Sequence, residues 1–219
     1  MIKQIYYRLR HLLTDPEERG GQSAGYWHVK IRKEVVSLRD FSHEHILDVG
    51  CGEGLLIKRY ADTHPQARLW GLDVVLPQLL RARAHIGSNP ASRRLVQASA
   101  FKIPFKERTF DTVVCINFIV NVPSNELLEA LFTELARVLK PQGRIIFDIR
   151  NSNNLFVRLK YKFAHFYDGT LAGVHLKTYK RSWITRKLAS FGLVVLQTKA
   201  EGFFRGGLSS VIVIEARKI

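Results

Sequence analysis

The chain has 219 residues, 46% of them hydrophobic, with 34 Lys and Arg against 19 Asp and Glu and a formal charge of +15. That length and apolar content supply one buried core, and two cysteines without metal-ligand spacing exclude both a disulfide framework and a zinc site. The opening MIKQIYYRLRHLL has no continuous apolar run, and no segment reaches the roughly 20 apolar residues that span a bilayer, so the expectation is a cytoplasmic protein, neither secreted by a standard signal nor integral to a membrane.

The charge is uneven. Residues 1–45 carry 8 Lys and Arg against 6 Asp and Glu, residues 46–150 carry 14 against 10, and residues 151–219 carry 12 against 3. The last third therefore attracts nucleic acid, anionic lipid or a phosphorylated substrate.

Short β-branched runs alternate with helical patterns, the signature of a parallel sheet wound with helices. Strands are expected at HILDV (45–49), RLWGLDV (68–74), RRLVQAS (93–99), FDTVVCINF (110–118) and RIIFDIR (144–150). Helices are expected at 55–61 and 77–86, and most clearly at 124–140, where Ser124 caps and Leu127, Leu131, Leu135 and Val138 mark one face. Pro141, Gln142 and Gly143 close that helix. After residue 150 come an Asn-rich turn, a basic aromatic stretch, a helix ending at Gly192, and two apolar runs, 193–198 and 208–216, that form an antiparallel hairpin. The fold class is α/β: a doubly wound, mainly parallel seven-stranded sheet flanked by helices, with the hairpin at its C-terminal end.

In ILDVGCGEG, residues 46–54, Gly50, Gly52 and Gly54 follow a strand and open a helix, leaving backbone that a ligand can approach closely. A dinucleotide fingerprint, G-x-G-x-x-G, requires glycine at 55 or 57, and those positions are Leu55 and Ile57. Asp48, just before the first glycine, repels a pyrophosphate and attracts an ammonium or sulfonium. Asp73 ends the next strand, where a carboxylate accepts from both hydroxyls of a ribose. The segment 99–114, SAFKIPFKERTFDTVV, can wall an adenine.

These three pieces in this order resemble the class I S-adenosylmethionine (SAM) dependent methyltransferases. ILDVGCGEG is similar to their glycine-rich motif, GLDVV to the ribose motif, IPF and FDTVV to the segment before strand four, and LARVLKPQGRIIF (135–147) to the helix, turn and fifth strand. The resemblance covers about residues 45–150. It implies that Asp48, Gly50, Cys51 and Gly52 adjoin the methionine part of SAM, that Asp73 holds the ribose and that Val74 packs near the adenine. Ser99, with Ala100 beside it, stands where many members place an Asp that accepts from the adenine amino group. Cys51 is a small packed residue rather than a reactive thiol. The resemblance also implies a lid or cap in residues 1–45, a catalytic domain in 46–219 and an acceptor-covering insertion in 151–177.

On the acceptor side stand Asn117, counted with the cofactor site, and Asn121, without the Asn-Pro-Pro-aromatic signature of amino methylation. Tyr26 and Trp27 suit a lid or the core. His28, His165 and His175 are each open to service as a base, and none is assigned as catalytic. The function expected is methyl transfer to a small-molecule, lipid-linked or glycan-linked acceptor. RNA methylation is the first alternative, a non-catalytic SAM-fold binding protein the second, and no metal is expected. The stretch LFVRLKYKFAHFY (155–167), read as a helix, gathers Phe156, Leu159, Phe163 and Phe166 opposite Arg158, Lys162 and His165, with Lys160 at the boundary. Either its apolar side packs on the domain, or it meets an anionic membrane. Its alternating order also permits a strand.

Overall fold

The computed structural model describes residues 26–163, 176–202 and 208–219. The N-terminal IYYRLRHLL, the side chains of Tyr26 and Trp27, and His165, Phe166 and His175 lie outside them.

Helix α1 (Tyr26–Val36) precedes the sheet. Then β1 (His45–Val49), α2 (Leu55–Thr63), β2 (Arg68–Asp73), α3 (Leu76–Ile86) and β3 (Leu95–Gln97) alternate. After β4 (Phe110–Cys115) come α4 (Asn125–Val138), β5 (Leu139–Arg150), α5 (Leu155–Lys162), α6 (Arg181–Ala189), β6 (Leu193–Glu201) and β7 (Val211–Lys218). The strand order is β3-β2-β1-β4-β5-β7-β6. The first five strands pair in parallel, and β7 runs antiparallel to both β5 and β6. The strand order reverses between β1 and β4, so the crevice outside their carboxyl ends is where this architecture binds ligands.

β1 is central because it is apolar on both faces: Ile46, Leu47 and Val49 are at most 1% exposed, as a strand covered by helices on either side requires. Ser124 caps α4, its hydroxyl accepting from the Leu127 amide at 3.2 Å. The buried face of α4 is Leu128, Leu131, Leu135 and Val138, whereas Leu127 is 37% exposed. Leu127 and Leu128 both stand a helical step from Leu131, so spacing alone did not separate them.

Several boundaries differ from expectation. α4 ends at Val138, and β5 begins at once with Leu139 opposite Phe110. Pro141–Gly143 then bulge out, with Gln142 at φ 63°, before Arg144 rejoins the ladder opposite Thr112. β4 stops at Cys115 rather than 118, because Asn117 takes a left-handed φ of 58°. β2 ends at Asp73 and β3 keeps only Leu95–Gln97.

Strand β7, between β5 and β6, carries a charge cluster. Glu215, 1% exposed, accepts from Arg39 at 3.2 Å, Arg144 at 2.9 Å and Gln197 at 2.6 Å. It clamps β5, β6 and β7 far from the crevice.

Candidate functional site

The loop after β1 is folded onto β2 by its own backbone. The Leu72 carbonyl accepts from the amides of Gly50 at 2.7 Å and Cys51 at 3.0 Å, and Gly52 N–H donates to Asp73 Oδ2 at 2.8 Å. Gly50 and Gly54 both have positive φ, 73° and 76°. A Cβ on Gly50 would lie 2.4 Å from the Phe118 ring, and one on Gly54 would lie 2.8 Å from Ala82 of α3. Gly54 is therefore required by packing between α2 and α3 in addition to the turn.

A cavity of about 130 Å³ opens at this loop, lined by Asp48, Gly50, Cys51 and Gly52, by Asn117 just after β4, and by Arg32 and Glu53. Asp48 is 4% exposed. Burial, and then the neighbouring Asp73, push its carboxyl up to about 7, with Arg32 pulling the other way. The Cys51 thiol is raised by burial and by Asp48 and Asp73, which leaves it unreactive at neutral pH.

Arg32 and Glu53 were missed in the sequence. Arg32 is 4% exposed on α1, in line with buried Val29 and Val36. A cation at a core position of an amphipathic helix was the available signal. Glu53, 2% exposed, sits between two glycines of the motif, and its carbonyl contacts His85 Nδ1 at 2.9 Å. The residue lines the cavity, which a motif read for its glycines does not reveal.

Asp73 sits beside the cavity, joined to it through Gly52. Its Oδ1 accepts from the Val75 amide at 2.9 Å, so each oxygen takes one backbone donor and keeps a second acceptor position. Beyond it Val74, Val75, Leu76 and Leu80 form an apolar ledge, Val74 being 64% exposed. The Ser99 hydroxyl accepts from the Phe101 amide at 3.2 Å. Ala100 is buried and packs into the core cluster. Neither lines the cavity itself.

On the other side a buried polar group joins three elements. Arg150, at the end of β5, pairs with Asp148 and donates to Asn117 Oδ1 at 2.6 Å and to the Tyr161 hydroxyl of α5 at 2.7 Å. Asp148 accepts from the Asn117 amide at 2.5 Å, which fixes the left-handed turn there. Asn121 donates to the Asn117 carbonyl at 3.1 Å. His28 is half-buried on α1 and does not line the cavity.

Residues 46–143 match the family model for a methyltransferase domain. That stretch is similar to methyltransferase domains, and the seven-stranded fold around it is one that solved SAM-dependent methyltransferases share. The chain is 33% identical over 127 residues to a demethylmenaquinone methyltransferase of Symbiobacterium thermophilum, a match covering 57% of this chain and 49% of that protein. It is 28% identical over 159 residues to an O-methyltransferase of Aspergillus sclerotiorum, covering 66% and 58%. The chain thus spans about half the length of the curated relatives it matches. The fold is shared with magnesium protoporphyrin IX methyltransferase of Synechocystis PCC 6803, solved with bound S-adenosylhomocysteine: TM-score 0.69, 19% identity, 99% of this chain and 95% of that one.

Proposed function

We propose that the chain transfers a methyl group from SAM to a small lipophilic acceptor. The observation that carries the cofactor half is an acidic, glycine-lined cavity at the end of β1 with a two-oxygen acceptor tied to its loop at the end of β2 and exposed apolar residues following that acceptor. At about 130 Å³ the cavity is smaller than the several hundred Å³ of a whole-ligand pocket, so it suits one end of an elongated molecule. Asp48 and Arg32, buried together, suit the ammonium and carboxylate of an amino acid. Asp73 has acceptor positions for a ribose, and Val74 offers an apolar face to a base.

SAM supplies a methyl group already activated on a sulfonium. The protein's share is to orient, and holding reactants in line is worth about 7–11 kcal/mol in favourable cases. An acceptor that is already ionised needs no base, in keeping with a cavity lined by no histidine among the described residues. Asn117, held by Arg150 and Asp148, lies where the acceptor would enter. The lipophilic character of the acceptor is supported by the relative acting on demethylmenaquinone and by the exposed apolar side of α5.

RNA is the second reading, and one observation favours it. Trp183 stacks on Tyr179 at 5.7 Å and lines two surface hollows with Lys177, Lys180, Arg186 and Lys187. Incubation with methyl-labelled SAM and cell extract separates the readings. Label in the organic-soluble fraction supports the proposal, label in RNA supports the second reading, and SAM binding without transfer to any fraction marks a non-catalytic binding protein.

A further inference from the structure

The structure assigns α5 as a surface that docks on an anionic lipid bilayer beside the mouth of the site. Four apolar residues of this short helix and its cap face solvent: Leu155 at 59%, Phe156 at 68%, Leu159 at 44% and Phe163 at 47% exposure. At about 100° per residue, with Leu155 at zero, Leu159, Phe163 and Phe156 fall near 40°, 80° and 100°. Lys160 borders that arc on one side near 140°, and Lys162 and Arg158 border it on the other near 340° and 300°. The residues that face the protein, buried Val157 and half-buried Tyr161, lie near 200° and 240°. The sequence left open whether the apolar side packs on the domain, and these four side chains keep 44–68% of their surface exposed.

The outward direction of this arc is fixed. Asn154 caps the helix, accepting from the Val157 amide at 2.9 Å while its own amide donates to the Leu208 carbonyl at 2.6 Å. At the other end Tyr161 is held by Arg150, which also holds Asn117 at the cavity. The helix carries no acidic residue. An apolar arc flanked on both sides by cations is complementary to an anionic bilayer, where the apolar residues insert and the cations stay at the headgroups. The two leucines argue against RNA, since an aliphatic side chain gives a base no ring to stack on. No described helix is long and apolar enough to cross a membrane, so the contact is peripheral. The inference deepens the lipophilic-acceptor reading and rests on it for its purpose, because docking there presents the site to a molecule dissolved in the bilayer.

The test is co-sedimentation of the full chain with vesicles of phosphatidylcholine alone and of phosphatidylcholine containing about a third phosphatidylglycerol. The protein should pellet only with the second and be released by about 0.5 M NaCl. Phe156→Ser, at the most exposed position, should weaken partition by about tenfold, and Phe156→Ser with Leu159→Ser and Phe163→Ser should abolish it while SAM binding persists. Equal sedimentation with both vesicles, no sedimentation, or unchanged sedimentation of Phe156→Ser overturns the inference. So does RNA binding that the same substitutions remove. The acceptor reading fails separately: vesicle binding without label in the lipid fraction leaves the surface standing and removes the acceptor. Label in lipid from a protein that does not sediment removes the surface alone.

Discussion

The Asp73 carboxylate accepts the Gly52 amide at 2.8 Å on one oxygen and the Val75 amide at 2.9 Å on the other. One side chain thus fixes the glycine loop of β1 to the end of β2 and still has acceptor capacity toward the crevice. Asp73→Ala removes both duties. SAM affinity should fall by about 1.5–3 kcal/mol by calorimetry, and unfolding free energy by about 1–3 kcal/mol, because two backbone donors lose their acceptor. Undiminished SAM affinity in the folded variant would remove Asp73 from the site.

Asp48 predicts a pH dependence. Its carboxyl is raised by folding from the ordinary 3.8 to about 7. The native state therefore holds that proton more tightly than the unfolded chain, and the group's contribution to stability, whole below about 3.8, is lost as pH rises through about 7. A cationic ligand favours the ionised form. SAM affinity should climb from about pH 5.5 to 7 and level off above, with up to one proton released on binding below pH 7. Calorimetry in buffers of different ionisation enthalpy reads that proton, and Asp48→Asn should abolish its release. A flat profile in the parent protein would place the ammonium elsewhere.

The Arg150 cluster predicts a graded loss of stability. Arg150→Met leaves the Asp148 carboxylate buried at 1% exposure without its partner and should cost about 3–5 kcal/mol. Tyr161→Phe removes one hydrogen bond at the rim and should cost about 1 kcal/mol. Chemical denaturation checks both, and equal losses would mean that the tie to α5 matters as much as the ion pair.

Much of this was legible because the central parallel strands β1 and β4 are short, buried on both faces and bounded by turn residues. Asp48, Gly50 and Asp73 lie where motif spacing put them. Legibility failed where one residue serves two masters. Gly54 reads as ligand clearance and also answers to Ala82, and Leu127 shares its helical spacing with the truly buried Leu128. It failed again where chain-distant elements converge: Arg32 from α1 reaches the cavity, and Arg150 and Tyr161 meet across a turn, through contacts that no local period encodes.

Ser99 carries a prediction about alignment. Its hydroxyl already caps the Phe101 amide at 3.2 Å, a bond a carboxylate makes as well or better. Ser99→Asp should therefore keep the loop and hold or improve SAM affinity, measured by calorimetry. Loss of binding with an unchanged melting curve would show that the adenine acceptor is a neighbouring position.

The central claim is that one ligand spans the Asp48 cavity, Asp73 and the Val74 ledge. A crystal structure of the full chain with S-adenosylhomocysteine tests it most directly. The account predicts the amino-acid end between Asp48 and Arg32, both ribose hydroxyls on Asp73 and the base against Val74. Density for the ligand anywhere else, or a ribose out of reach of Asp73, would contradict it.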